Sequence, residues 1–231
     1  KLFTLSKKML SRVFNLGFPS ALQMFFEVAI FTAAIWLSGV LGKNPQAANQ
    51  IALNLSSMTF MVAMGFGVAA MVRVGNQKGL KRFVELRRIA FSIFLLSTIL
   101  AVIFAILFFI FHQSLPSLYL NYDNPIEALD NLEVASTAAT LLLIAAVFQI
   151  SDTIQVVTLG ALRGMQDVKL PTLITFVAYW VVGFPVMYYL GLHTSYGSAG
   201  IWIGLLAGLT VSGVLLSWRF HVLSKELIAS S

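Results

Sequence analysis

The sequence contains no cysteine and few charged residues. The absence of cysteine excludes disulfides, thiolate metal sites and cysteine nucleophiles. Charged residues make up 10% of the chain, against about 25% in soluble domains, whereas 58% of the 231 residues are hydrophobic. A chain this apolar cannot cover its surface with polar groups. We therefore predict a membrane protein whose apolar surface is in contact with membrane lipid.

The motifs of membrane-embedded enzymes are also absent. The sequence has no HExxH motif of a zinc protease, no GxSxG motif of a serine hydrolase and no GxGD motif of an intramembrane aspartyl protease. The three histidines lie near the ends of apolar segments and far from one another in the sequence. We therefore expect neither catalytic activity nor a cofactor, and a membrane-embedded enzyme is the least favoured class.

Six segments are long and apolar enough to cross a bilayer as helices, which takes about 20 residues each. Short loops join them and hold nearly all of the charged and turn-forming residues. The sequence therefore predicts an all-α integral membrane protein, with residues 1–231 forming one bundle of six transmembrane helices. The predicted spans are 14–41, 46–72, 89–112, 133–160, 170–191 and 198–218.

Basic residues are strongly biased to one side of the predicted bundle. Fourteen of the fifteen Lys and Arg residues fall in the N-terminal segment, in 73–88, in 163–169 or near the C-terminus, and Lys43 is the exception. By the positive-inside rule, both termini and these loops are predicted to be cytoplasmic. The basic excess is then an orientation signal and an anchor on anionic lipid, so we expect no nucleic-acid partner.

Two of the nine acidic residues, Glu27 and Asp152, fall inside predicted spans. An Asp at a helix centre costs about 2.5–3.5 kcal/mol for membrane insertion, and each Leu, Ile, Phe or Val offsets about 0.3–0.6 kcal/mol. The surrounding apolar residues are numerous enough for both helices to insert. Because a neutral amide would join helices at a smaller desolvation cost, two ionisable residues in the membrane interior indicate a function.

The two acids are predicted to lie at the same depth. Glu27 lies ten residues from the cytoplasmic start of the first helix, and Asp152 lies eleven residues before Arg163. At about 1.5 Å per residue, both depths are about 15–16 Å, half of a core that is about 30 Å thick. Asn54 and Tyr179 reach a similar depth from the second and fifth helices. The sequence therefore predicts a polar layer near the midplane that is drawn from four helices.

This polar layer allows two interpretations. Buried polar side chains can simply hold helices together, for about 0.6 kcal/mol each. That interpretation is preferred for each uncharged member taken alone, namely Gln23, Asn54, Gln149 and Tyr179. Glu27 and Asp152 instead predict a cation site, because two buried carboxyl groups can share a proton, or Na⁺ can neutralise both. Competition between Na⁺ and H⁺ for one place is what an ion-coupling site requires.

Five stretches of the sequence carry a family resemblance. In order they are PSALQMFFEVAIF, AANQIALNLSSMTFMVAMGFGVAAMVRVGN, TLGALRGMQDVKLPT, TFVAYWVVGFPVMYYL and GIWIGLLAGL. Together they resemble the C-terminal half of a multidrug and toxic compound extrusion (MATE) transporter of the NorM-like branch. The resemblance implies one lobe of a pseudo-two-fold twelve-helix transporter, with an N-terminal six-helix lobe as its partner. It also implies export of cationic amphiphilic drugs in exchange for Na⁺ or H⁺ across a bacterial inner (plasma) membrane.

The resemblance also bears on individual residues. In the NorM-like branch, an acid in the first helix of this lobe and another in the fourth bind the coupling cation, and Glu27 in FFEV and Asp152 in QISDTIQ stand at those positions. Phe148 stands where some relatives have a hydroxylated aromatic residue, so it is an expected aromatic neighbour of the site without an oxygen ligand. Asn49 stands where relatives often have histidine, and no role is transferred to it.

A lipid-linked-sugar flippase of the same superfamily is the main alternative. Such a carrier is expected to line its cavity with cationic residues that bind phosphate groups, and no predicted span has an interior Lys or Arg. The sequence therefore favours a cation-coupled multidrug antiporter over a flippase.

Overall fold

The structure is a computed structural model that describes residues 6–121 and 128–230, and within these ranges it is helical and has no strand. Six of its helical segments are long and apolar enough to cross a membrane, in agreement with the prediction. The α-helices are α1 (Lys7–Leu41), α2 (Lys43–Gly79), α3 (Phe83–Phe111), α4 (Ala128–Gly164), α5 (Lys169–Phe176), α6 (Phe184–Leu192) and α7 (Ser198–Ala229). A π-helix at Val177–Gly183 joins α5 to α6, so these three elements form the fifth segment.

Each segment extends beyond its predicted span at one end or both. The helix α3 begins at Phe83, six residues earlier than predicted, and α7 continues to Ala229, eleven residues beyond its predicted end. Hydropathy marks only the apolar middle of a helix, whereas the added turns carry charged residues such as Glu85 and Lys225. The predicted number and order of the six segments are confirmed.

The helix α4 is the centre of the bundle and packs most extensively on α2, and then on α7 and α3. At the contact with α2, a Cβ atom on Gly160 would lie 2.1 Å from the carbonyl oxygen of Gly67. One turn further, a Cβ on Gly164 would lie 2.5 Å from the carbonyl oxygen of Met71. The two backbones therefore touch directly, as small residues allow between helices in a membrane.

The fifth segment contains a π-helix instead of a continuous α-helix. The Phe184 amide donates a hydrogen bond to the carbonyl of Tyr179, five residues earlier. Pro185 follows directly and has no N–H with which to continue the α-helical pattern. π-Helical turns are rare and often mark functional positions. Here the turn carries Tyr179, which is fully buried in the bundle.

The buried apolar side chains form two clusters along α4. The larger one includes Leu141 and Trp202, and the second includes Leu162 and Phe220. Asp152 lies between the parts of α4 that contribute to the two clusters. The apolar core is therefore divided by a polar layer at the level of Asp152.

Each end of the bundle has an ion pair that joins two elements. At the end where α4 finishes, Arg219 forms an ion pair with Asp167 at 2.7 Å. At the opposite end, where α4 begins, Lys43 pairs with Asp130 at 2.5 Å. Three of the charged residues on which the predicted orientation rests lie outside the described ranges, namely Lys1, Asp123 and Glu127.

Gly160→Ala is predicted to destabilise the bundle by about 1–3 kcal/mol, the usual cost of overpacking. Its methyl group would overlap the Gly67 carbonyl oxygen, which belongs to the backbone of α2. Gly65→Ala is the matched control, since nothing lies within 4 Å of its Cβ position and alanine favours the helix. Thermal unfolding in detergent should give a lower Tm for Gly160→Ala and an unchanged or higher Tm for Gly65→Ala. Equal Tm values would contradict the close approach of α2 and α4.

Candidate functional site

A cleft of about 320 Å³ lies between α1, α2 and α4. The helix α1 packs mainly against α5, α2 and α7, and its backbone approaches that of α4 at few positions. Most of the cleft wall consists of Met, Phe, Leu and Val side chains. The charged side chains that line it, among the described residues, are Glu27, Asp152 and Arg163.

The structure brings Glu27 of α1 and Asp152 of α4 to this one cleft, where their carboxylates interact electrostatically. Asp152 is buried and Glu27 is partly buried. Glu27 Oε1 and Asp152 Oδ1 are both inaccessible, and neither has a hydrogen-bond partner among the residues that the structure describes. Buried polar atoms are nearly always paired, so two unpaired carboxylate oxygens in one cleft indicate a place for a cation.

Ser56 adds a third oxygen to the cleft, from α2. Its hydroxyl group is buried and also lacks a hydrogen-bond partner within the described ranges. Carboxylate and neutral oxygens are the ligands that hard cations prefer. Ser56 was not predicted, because an isolated serine in an apolar helix gives no signal unless the helix rotation is known.

Gln23 connects Glu27 to Arg163. The Gln23 Nε2 donates a hydrogen bond to Glu27 Oε2 at 3.2 Å, one turn further along α1. Its Oε1 accepts a hydrogen bond from Arg163 Nη2 on α4. Gln23 is only 2% exposed, so the nitrogen and the oxygen of its side-chain amide are both held by partners inside the protein.

The position of Arg163 corrects the expectation that no cationic side chain lines the cavity. The predicted fourth span ended at residue 160, but α4 continues to Gly164 and places Arg163 on the cleft wall. The hydropathy pattern ends where charged residues begin, so it could not include this last turn in the span.

Phe148 is an aromatic residue of the cleft wall, one turn before Asp152. Its ring packs edge-on against Phe31, with centroids 6.0 Å apart, and against Trp202, with centroids 5.4 Å apart. The ring is held between two other aromatic side chains and contributes no oxygen ligand to the cleft.

Gln149 and Tyr179 are buried behind the cleft and do not form part of its lining. The Tyr179 hydroxyl lies beside Gln155, without a hydrogen bond of standard geometry between them. Gln155 follows Asp152 by three residues and is fully buried, and it was not among the predicted site residues. The polar layer therefore continues from Asp152 into the bundle.

Asn54 lies outside the lining of this cleft. It is exposed, and its Nδ2 donates to the Gln50 carbonyl on the same helix. The prediction matched only its depth, whereas each residue also turns the helix by about 100°, and this rotation places Asn54 outside the cleft lining. Asn49 on the same helix is buried instead, and its Oδ1 accepts a hydrogen bond from Trp202 Nε1 at 2.9 Å.

A six-segment helical lobe with a charged cleft between its helices is the architecture of a membrane transporter. The MatE family model matches residues 19–189. The chain belongs to this family, whose members are transporters and not enzymes, so the resemblance found in the sequence is confirmed.

Individual relatives agree with the family. Multidrug resistance protein NorM of Burkholderia vietnamiensis is 40% identical over 96% of this chain and 47% of that protein. Multidrug resistance protein MdtK of Proteus mirabilis is 37% identical over 94% of this chain and 46% of that protein. The crystal structure of the eukaryotic MATE transporter AtDTX14 matches with a TM-score of 0.81 at 21% identity, over 97% of this chain and 50% of that one. The chain spans about half the length of these proteins, which is consistent with one lobe of a twelve-helix transporter.

Asn49→Ala is predicted to lower the free energy of unfolding by about 1–3 kcal/mol, because it leaves the buried Trp202 N–H without its acceptor. Asn54→Ala is the matched control on the exposed face of the same helix and should change it by less than about 0.5 kcal/mol. Denaturation of both variants in the same detergent measures the difference. A larger loss of unfolding free energy for Asn54→Ala would contradict the exposed position of Asn54 and indicate that it lies in the buried polar layer.

Proposed function

We propose that this chain is the cation-binding lobe of a multidrug efflux antiporter coupled to Na⁺ or H⁺. The observation that supports this most directly is the pair of buried, unpaired carboxylate oxygens of Glu27 and Asp152 in one cleft. Such a pair can neutralise its charge with a shared proton or with a hard cation. Two relatives that the chain matches over nearly its whole length are multidrug resistance proteins, which supports drug efflux as the transport function.

The position of the two acids gives the coupling a physical basis. Glu27 is on α1 and Asp152 is on α4, and the backbones of these helices approach each other at few positions. A cation between the two carboxylates would remove their repulsion and connect the two helices. Cation occupancy would therefore change the packing of α1 against α4 and the width of the cleft. If a drug binds preferentially to one cleft width, cation binding changes the affinity for the drug. Drug binding then changes the affinity for the cation by the same factor, because coupling between two sites is reciprocal.

The cleft wall is suited to cationic amphiphilic substrates. Phe60 and Met64 of α2 line it together with aromatic and aliphatic residues of α1 and α4. Methionine and aromatic side chains adapt to ligands of different shapes. Among the described lining residues, two carboxylates face one guanidinium, so the ionised cleft has a net negative charge that attracts cations.

A lipid-linked-sugar flippase is less well supported by this charge balance. Phosphate groups require cationic side chains, and Arg163 already donates a hydrogen bond to Gln23. The two carboxylates would repel a phosphate in the same cleft.

We infer that an N-terminal six-helix lobe completes the transporter, since the relatives are about twice as long as this chain. We also infer that the transporter lies in the bacterial inner membrane with the basic end of the bundle in the cytoplasm. Short loops with many Lys and Arg residues are retained on that side.

This orientation predicts how single cysteines react in intact bacteria. Asn76→Cys at the basic end should be protected from a membrane-impermeant thiol reagent, whereas Gln113→Cys at the other end should be labelled. Both residues are exposed, and the chain has no native cysteine that would react. Both variants should react after the membrane is disrupted. Labelling of Asn76→Cys alone in intact cells would reverse the proposed orientation.

Glu27→Gln and Asp152→Asn are each predicted to abolish drug efflux by the transporter that contains this chain. Each variant keeps the shape of the side chain but loses the charge that holds the cation. Glu133→Gln is the matched control, because Glu133 lies on α4 but is exposed at the opposite end from Arg163. Efflux of a fluorescent cationic drug from cells that express equal amounts of protein measures the effect.

Cation binding by the same variants can be measured without transport. If Na⁺ is the coupling ion, a concentration of 100 times the Kd should stabilise the parent by about 2.7 kcal/mol, but neither variant. If the ion is H⁺, the parent's Tm should depend on pH in a way that both variants lose. Full efflux by both neutral variants would overturn the proposed function.

A further inference from the structure

A guanidinium and a carboxylate share the cleft and are connected by one buried amide. Arg163 Nη2 donates to Gln23 Oε1, and Gln23 Nε2 donates to Glu27 Oε2 at 3.2 Å. The first of these bonds joins α4 to α1, between residues 140 positions apart. The second leaves Glu27 Oε1 unpaired among the described residues, in the same cleft as the unpaired Oδ1 of Asp152.

We propose that Arg163 is a built-in counter-cation that sets the affinity of the cleft for the coupling cation. In this role it acts on the bound ion through its charge, which Gln23 keeps close to Glu27, and it does not itself ligate the ion. The inference rests on the cation site proposed above for Glu27 and Asp152.

The charges in the cleft support this role. Two carboxylates and one guanidinium leave a net charge of −1 when all three are ionised, and one bound Na⁺ brings the total to zero. Arg163 interacts electrostatically with Glu27. The nearby acid at the same end of the bundle, Asp167, is already held by Arg219 at 2.7 Å. Glu27 is therefore the carboxylate that Arg163 neutralises.

The hydrogen bonds assign separate tasks to the two oxygens of Glu27. Oε2 is held by Gln23, which fixes the rotamer of the side chain. Oε1 stays available to a cation together with Asp152 Oδ1. A cation can therefore bind while the Arg163–Gln23–Glu27 connection remains intact, but it binds against the repulsion of the guanidinium.

This repulsion gives Arg163 a function in transport. Without it, two buried carboxylates would hold a cation too tightly for rapid release. At an effective dielectric constant of about 20, a unit charge about 8–12 Å away changes a cation's binding constant by about ten- to thirtyfold. Arg163 would thus lower the affinity of the cleft for the ion and raise the rate at which the ion dissociates in each transport cycle.

The test measures equilibrium binding of radioactive Na⁺ to the purified transporter that contains this chain, at one fixed pH. Arg163→Gln removes the charge and retains an amide that can bond to Gln23, and Arg163→Met is a second neutral variant in case the first does not fold. Arg163→Lys keeps the charge. Lys169→Gln is the control for net charge, since Lys169 is exposed at the same end and does not line the cleft.

Both neutral variants should bind Na⁺ about ten- to thirtyfold more tightly than the parent and release it more slowly, whereas Arg163→Lys and Lys169→Gln should resemble the parent. A residue with only a structural role would give the opposite sign, because its loss would loosen the site and weaken binding. Unchanged or weaker binding by the neutral variants, with normal binding by the parent, would overturn this inference alone. A parent that binds no Na⁺ would overturn it together with the sodium form of the proposed function.

Discussion

The rest of the site depends on the burial of two carboxylates without hydrogen-bond donors for one oxygen of each. Glu27 Oε1 and Asp152 Oδ1 lie in a cleft with largely apolar walls, where water cannot stabilise their charge as it does at a surface. When both are ionised, their repulsion would oppose close approach of α1 and α4, whose backbones approach each other at few positions. A cation between the carboxylates would remove that repulsion. The free-energy cost of burying two carboxylates would therefore couple cation binding to the packing of α1 against α4.

The packing of the bundle supports this site from two directions. Glycine contacts place the backbone of α4 directly on α2, and this fixes the helix that carries Asp152. The backbone of α1 has no comparably close approach to α4 among the described residues, and the two helices are joined by side chains, namely the Arg163–Gln23 hydrogen bond and the Phe31–Phe148 ring contact. The helix α1 packs mainly on α5, α2 and α7. If cation binding changes the charge in the cleft, we therefore expect α1 to respond more than the contact between α4 and α2.

The sequence predicted those features that depend on composition along one helix. Six apolar segments and two isolated acids are visible without any knowledge of tertiary structure, because membrane insertion acts on each helix separately. The exposed position of Asn54 could not be predicted from its depth, since depth does not determine the direction in which a side chain points. Ser56, Gln155 and the cleft position of Arg163 were missed because they depend on helix rotation or on a helix end that hydropathy does not mark. The hydrogen bond between residues 23 and 163 joins distant parts of the chain, so no local sequence pattern predicts it.

The central claim is that Glu27 and Asp152 act as one unit that takes up a single cation. Difference infrared spectroscopy of the purified protein, recorded as the pH is lowered with and without Na⁺, tests this claim most directly through the signal of protonated carboxyl groups. If the two acids share one cation, a signal from the pair should appear on acidification, and both Glu27→Gln and Asp152→Asn should alter the signal of the remaining acid. If each variant removes only its own signal and leaves the other acid's titration unchanged, the two carboxylates act independently and the account is wrong.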